Sequence, residues 1–320
     1  MFILSRRQLI GLTLLVLAWG INWPVMKVAL REMGPLYFRA LTMGLGALAL
    51  AGYFATRRIR LMPRGWAEWR AVAVLGLPNI LGWHALSIIG VAQLPAGRAA
   101  TLGFTMPVWT VLLSVLFYGE KLTARLMIAV AAVLAGIALL LWNELAQIAG
   151  RPAGIAWMQG AAFCWALGTI WMRRARLTLP AETLLVWMMV LATAALVPLA
   201  LWLDPPQRWS FSAPVWASLI WGVFINYGLA QVIWFALVRV LPATTSAMSV
   251  MAVPIIGILS APFVIGEWPH WQDLAPMACV AVAIGAVLLR RAERPARRAR
   301  PGQTPAAVRT APNAPHRVPK

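Results

Sequence analysis

The chain is built from runs of about twenty apolar residues, the length that spans the ~30 Å hydrocarbon core of a bilayer as a helix. In hydrocarbon no backbone N–H or C=O can bond to water, so each run must satisfy its own backbone as a helix. Ten such runs fit, over 8–28, 35–55, 67–90, 96–118, 122–142, 154–173, 181–203, 214–238, 243–265 and 271–290. Composition agrees, with 61% of residues hydrophobic and 12% charged, about half the charge of a soluble domain. The expected fold class is an all-α polytopic membrane protein with ten transmembrane helices. A soluble globular domain is excluded.

The formal charge of +19 would suit a nucleic-acid binder if the basic residues shared a water-facing surface. They follow topology instead. With the N-terminus on the cytoplasmic side, 22 of the 28 basic residues fall in inside segments, from Arg6 and Arg7 through Arg57–Arg70 and Arg173–Arg176 to the tail. Lys27, Arg31, Arg39, Arg98, Arg151 and Arg208 remain for the outside ends and loops. This is the positive-inside pattern, and it puts both termini in the cytoplasm. No nucleic-acid partner is expected, and the lipid bilayer is the principal surroundings. Residues 291–320, rich in Pro and Arg, have too few large apolar side chains to fold and are expected to be a disordered basic tail. Cys164 and Cys279 lie in apolar runs and are expected to be buried free thiols, with no metal or other cofactor implied.

Shifting the chain by 147 positions aligns it with itself without a gap. Trp69 meets Trp216, Asn79 meets Asn226, Leu94-Pro95-Ala96 meets Leu241-Pro242-Ala243, Pro107 meets Pro254, and Gly119-Glu120 meets Gly266-Glu267. Pro, Asn, Trp and Glu are scarce within spans, so these coincidences mark a duplication, with repeats at 8–142 and 154–290. Five spans per repeat is an odd number, so the second copy crosses the membrane in the opposite sense. Two inverted copies with interrupted helices are the architecture of alternating-access carriers.

The segments Ala18-Trp19-Gly20-Ile21-Asn22-Trp23-Pro24 and Phe38-Arg39-Ala40, with the paired Pro107…Gly119-Glu120 and Pro254…Gly266-Glu267, make the chain similar to the drug/metabolite transporter superfamily and its EamA-type ten-helix permeases. The resemblance covers about residues 8–290. It implies a carrier of the bacterial inner membrane, usually an exporter of amino acids or related small metabolites. It further implies a central cavity lined mainly by the first four spans of each half.

The candidate substrate-binding residues are the polar groups that hydrocarbon makes costly. Asn79 and Asn226 occupy corresponding points in spans three and eight, and His84 has Gln231 as its counterpart. Asn22 lies close to Pro24 in span one. Each has a plain alternative as interhelical glue, and His84 is in addition a candidate proton relay. Trp19, Trp83, Trp109 and Trp165 are candidate apolar walls, with lipid-facing packing as the ordinary alternative. Arg39 is the deepest cation. It can bind a substrate carboxylate as a two-pronged fork, but a structural pairing with Glu32 or Glu144 is the preferred expectation. Pro24, Pro107 and Pro254 are candidate hinges.

All nine acidic residues map to loops or span ends, so the usual midplane carboxylate for ion coupling is missing from the sequence. The expected function is therefore export of a small amphipathic substrate, downhill or coupled through His84. The alternatives are an intramembrane enzyme, for which His84 and Ser87 form the one close pair, and a non-transporting membrane scaffold. Ala132-x-x-x-Gly136 and Ala281-x-x-x-Gly285 are small-residue faces for helix packing within the molecule or across a possible homodimer.

Overall fold

Apolar runs that must close their own hydrogen bonds give helices throughout. The structure, a computed structural model, describes residues 5–119, 123–146, 152–238 and 252–288, and every regular element among them is helical. The first half contains α1 (Arg6–Ala29), α2 (Pro35–Thr56), α3 (Gly65–Gly76), a π-helical segment π1 (Leu77–Gly82), α4 (Trp83–Gln93), α5 (Ala96–Gly103), α6 (Met106–Tyr118) and α7 (Ala124–Ala146). The second contains α8 (Pro152–Arg174), α9 (Ala181–Leu203), α10 (Ala213–Ile220), a second π-helical segment π2 (Trp221–Leu229), α11 (Ala230–Val238), α12 (Ala252–Ile265) and α13 (Trp271–Leu288).

Seven continuous stretches are long and apolar enough to cross a bilayer, and three shorter apolar helices lie at Met127–Leu139, Ala252–Ile265 and Asp273–Ala283. They fall where the expected spans lie. The start of the ninth span, 243–251, and the tail, 291–320, are outside the described residues.

The helices pair across the two halves. α2 packs on α9 and α7 on α13, while α1 lies against α10–α12 with π2, and α8 against α4–α6 with π1. Exchanging the halves maps this set of contacts onto itself: span one meets spans eight and nine, and span six meets spans three and four. Small residues make the approach close. A Cβ on Gly136 would lie 3.2 Å from Cys279 Cβ and 3.3 Å from the Pro276 carbonyl, so that small-residue face packs within the molecule. Both cysteines are free but only half-buried, which corrects the expectation of buried thiols.

The three prolines singled out as candidate hinges lie in different settings. Span four breaks at Phe104-Thr105, between α5 and α6, just ahead of Pro107. α1 runs unbroken through Pro24. Pro254 sits near the start of α12, and the residues before Ala252 are outside the described set. The larger irregularities are π1 and π2, which the sequence reading missed. Pro78 removes an N–H from the first turn of π1, whereas π2 has no proline and holds Gly222 and Gly228. Single π-helical turns inside helices occur frequently at functional sites.

The Gly-Glu motif acquires a structural role. Gly119 and Gly266 end their helices at φ 66° and 74°, a left-handed conformation that suits glycine. Glu267 then accepts a hydrogen bond from the Ala96 N–H at 2.7 Å, capping α5 from the opposite half.

Candidate functional site

Asn79 and Asn226 both lie on the π-helical segments, at corresponding places in the two halves, and both are buried. No hydrogen bond joins either side chain to another described residue. Asn79 packs over Gly168 of α8, where an added Cβ would come within 2.6 Å of the Asn79 Cβ and 2.8 Å of its Nδ2. Asn22 is buried in α1, and Gln231 is half-buried in α11.

His84 makes a link the sequence did not suggest. Its Nδ1 lies 3.2 Å from the Tyr227 hydroxyl, and their ring centroids are 5.5 Å apart. Tyr227 is 1% exposed and in turn accepts a hydrogen bond from Arg39 Nη1 at 2.9 Å. With that oxygen accepting from Arg39, the tyrosine O–H donates to His84 Nδ1 in the consistent arrangement, and Nε2 carries the imidazole proton. Arg39, Tyr227 and His84 thus connect α2, π2 and α4 in one chain of hydrogen bonds. Tyr227 was absent from the sequence candidates although it adjoins Asn226. The available signal was that it is a tyrosine in the middle of an apolar run.

Arg39 overturns its expected pairing. Glu32 is committed elsewhere, accepting from the Ser212 N–H at 2.8 Å and from the Ser212 hydroxyl. The Glu144 side chain is outside the described residues. Arg39 is instead 3% exposed, with Nη2 donating to the Met26 thioether at 3.1 Å and a buried Nε that has no partner. The side chain does not snorkel outward, since its guanidinium turns inward to Tyr227 in the opposite half.

Two of the tryptophan pairs correspond across the halves. Trp19 of span one meets Trp234 of span eight at 5.5 Å, and Trp165 of span six meets Trp83 of span three at 5.4 Å. Trp83 also flanks His84 at 6.4 Å. Trp109 is tied to α8, donating from Nε1 to Gln159 Oε1 at 2.9 Å and packing edge-on against Phe163.

Each end of the bundle is held by polar contacts. At the end bearing the 30–34, 204–212 and 266–270 loops, Arg98 Nε bonds Asp273 Oδ1 at 2.5 Å, and Lys27 lies 4.0 Å from Glu267. There Asp204 accepts from the Tyr37 N–H at 2.9 Å and so caps α2. Burial raises the Asp204 carboxyl above its usual range, against the lowering by the Tyr37 and Leu36 amides. The Ser212 hydroxyl and N–H lower that of Glu32. At the other end Glu68 takes Arg60 Nη2 at 3.0 Å and the Arg64 N–H at 2.6 Å.

Ser87 Oγ bonds the His84 backbone carbonyl at 3.4 Å rather than the imidazole. Among the described residues no cluster of His, Cys, Asp and Glu could hold a metal ion.

Comparison with known proteins places this arrangement in context. Residues 7–142 and 152–291 each match the EamA-like transporter family. The "Uncharacterized transporter YvbV" of Bacillus subtilis is 27% identical over 282 residues, covering 88% of this chain and 91% of its own. A "Probable amino-acid metabolite efflux pump" of Salmonella typhimurium is 24% identical, covering 85% of this chain and 91% of its own. A "Probable terminal-alkyne amino-acid exporter" of Streptantibioticus cattleyicolor is 28% identical, with 86% and 89% covered. A solved crystal structure superposes with a TM-score of 0.61 at 20% identity, over 89% of this chain and 98% of that one, which bears on the fold alone.

Proposed function

The chain belongs to the EamA-like transporter family, and from that premise we propose that it exports small amphipathic metabolites, amino acids or their relatives, across a bacterial inner membrane. The two repeats, 8–142 and 154–290, rock about a central site and expose it alternately to the two faces, with both termini cytoplasmic. Asn79, His84, Asn226 and Gln231 supply polar contacts to the substrate, with Asn22 nearby, and the Trp19 and Trp83–Trp165 rings supply apolar ones.

The observation that carries this reading is the pair of π-helical segments, each bearing a buried asparagine at the matching place in its half. π-helical turns within helices occur frequently at functional sites, and carriers place helix interruptions at the substrate site. A scaffold has no need of two of them. The names of the Salmonella and Streptantibioticus relatives support amino acids as the substrate class.

The test is to profile solutes inside and outside cells expressing the wild type, the Asn79→Ala/His84→Ala double variant, or neither, at matched membrane abundance. Export of amino-acid-like solutes by the wild type alone is the expected result. An unchanged distribution in both directions would refute the carrier reading, and full activity in the double variant would refute the site.

A further inference from the structure

Arg39 stands in the wrong place for a structural cation. It is 3% exposed inside the spanning bundle and forms no ion pair with a described residue. It lies in the second turn of α2, at the end of the helix where the dipole offers a cation no stabilisation. Its acceptors are both neutral, the Tyr227 hydroxyl and the Met26 thioether, and sulfur of that kind accepts weakly. Its Nε is buried with no acceptor. The packing does not require it either. The corresponding position in the other half, on the partner helix α9, is Val186, equally buried.

A buried guanidinium that is only partly satisfied is costly to the fold, and a ligand that completes it recovers that cost on binding. We propose that Arg39 is the anion anchor of the transport site and takes the carboxylate of a solute with an apolar body. This inference rests on the carrier reading above. The carboxylate replaces the Met26 sulfur and the Tyr227 oxygen as acceptors, matching the planar fork of the guanidinium with two parallel N–H···O bonds. Tyr227 keeps its bond to His84, so both aromatic rings stay beside the bound group. From His84 the Trp83 and Trp165 rings continue at 6.4 and 5.4 Å, an apolar wall for the rest of the solute.

Charge selects a carboxylate over a phosphate. One buried cation balances a monoanion, whereas a phosphate dianion would bring uncompensated negative charge into the bundle. The cations Arg98 and Lys27 lie instead at the loop end, beside Asp273 and Glu267.

The test uses the full chain with Arg39→Met, Arg39→Gln and Arg39→Lys. Solute distributions are profiled in cells at matched abundance, and thermal unfolding midpoints are measured on purified protein. The wild type is expected to redistribute solutes that carry a carboxylate and an apolar body. The Met and Gln variants should lower that redistribution at least about thirtyfold, the lower end for losing one partner of a buried charge pair, with Lys intermediate. The unfolding midpoint of Arg39→Met should equal or exceed that of the wild type. Redistribution of solutes without a carboxylate, or full activity in Arg39→Met, overturns the assignment but leaves the carrier reading standing. A lowered midpoint or failed folding in Arg39→Met marks the residue as structural and also overturns it. On the wild type alone, the methyl ester of the most strongly moved solute should not compete with its parent acid, and equal competition overturns the proposal without any variant. A wild type that moves no solute in either direction refutes the carrier reading itself.

Discussion

Replacing Gly46 by alanine should damage the protein through Tyr227, and the same change six residues along the same helix supplies the control. A Cβ on Gly46 would stand 2.5 Å from Tyr227 Cβ and 3.1 Å from its Cγ. Ordinary carbon contacts lie at ~3.5–4.0 Å, so the helices must separate by roughly 1 Å or the tyrosine must turn. Overpacking of this kind costs about 1–3 kcal/mol. If the ring turns, the 2.9 Å bond from Arg39 is lost as well, at about 1.5–3 kcal/mol for a hydrogen bond to a charged group. The expected loss is thus about 1–3 kcal/mol if the helices part and about 2.5–6 kcal/mol if the ring turns, with transport impaired in the second case because Arg39 and His84 lose their shared partner. Gly52 has nothing within 4 Å of its own hypothetical Cβ, so Gly52→Ala should gain about 0.5–1 kcal/mol from helix propensity. Denaturant unfolding in detergent, read alongside transport in vesicles, measures both. Gly46→Ala behaving like Gly52→Ala would refute the close α2–π2 packing and with it the placement of Tyr227.

The Arg98–Asp273 pair has side chains 5% and 12% exposed, so Asp273→Ala, which removes a short charged hydrogen bond, should cost about 1.5–3 kcal/mol; no measurable loss by chemical unfolding would contradict that contribution. Glu32 is held below the usual carboxylate range by the Ser212 hydroxyl and N–H. Its contribution is therefore present above the ordinary carboxylate pKa and disappears as pH falls through the depressed value. Unfolding midpoints of the wild type and Glu32→Gln, taken from neutral to acid pH, should converge as the pH drops, and a constant gap would show that Glu32 does not act through its charge. Trp187 donates from Nε1 to the Leu61 carbonyl at 2.6 Å. Trp187→Phe should then destabilise by about 0.5–1.5 kcal/mol, and no change in the midpoint would mean that this bond contributes nothing net.

The span positions and the placement of the acids in loops and at span ends were legible before any coordinates. The cause is local: twenty apolar residues must form a helix in hydrocarbon. Glu68, Glu182 and Asp273 indeed fall in the first turns of α3, α9 and α13. The polar candidates Asn79 and Asn226 could be found the same way, because an amide in an apolar run is visible as such.

What the side chains touch was decided only in three dimensions. The expected partner of Arg39 was an acid, Glu32 or Glu144; its observed partner, Tyr227, is 188 positions away in the other half. Nothing in the local sequence distinguishes these, since the pairing depends on α2 approaching π2 through Gly46 and Gly222. The π-helical turns escaped for a related reason. The composition of such a segment overlaps that of an α-helix, and the choice depends on what the neighbouring helices press against it, as Asn79 on Gly168 and Thr42 on Gly222. Hydrophobicity acts residue by residue and can be read along a chain, whereas close packing and hydrogen-bond partnership belong to pairs of surfaces and exist only once the helices have met.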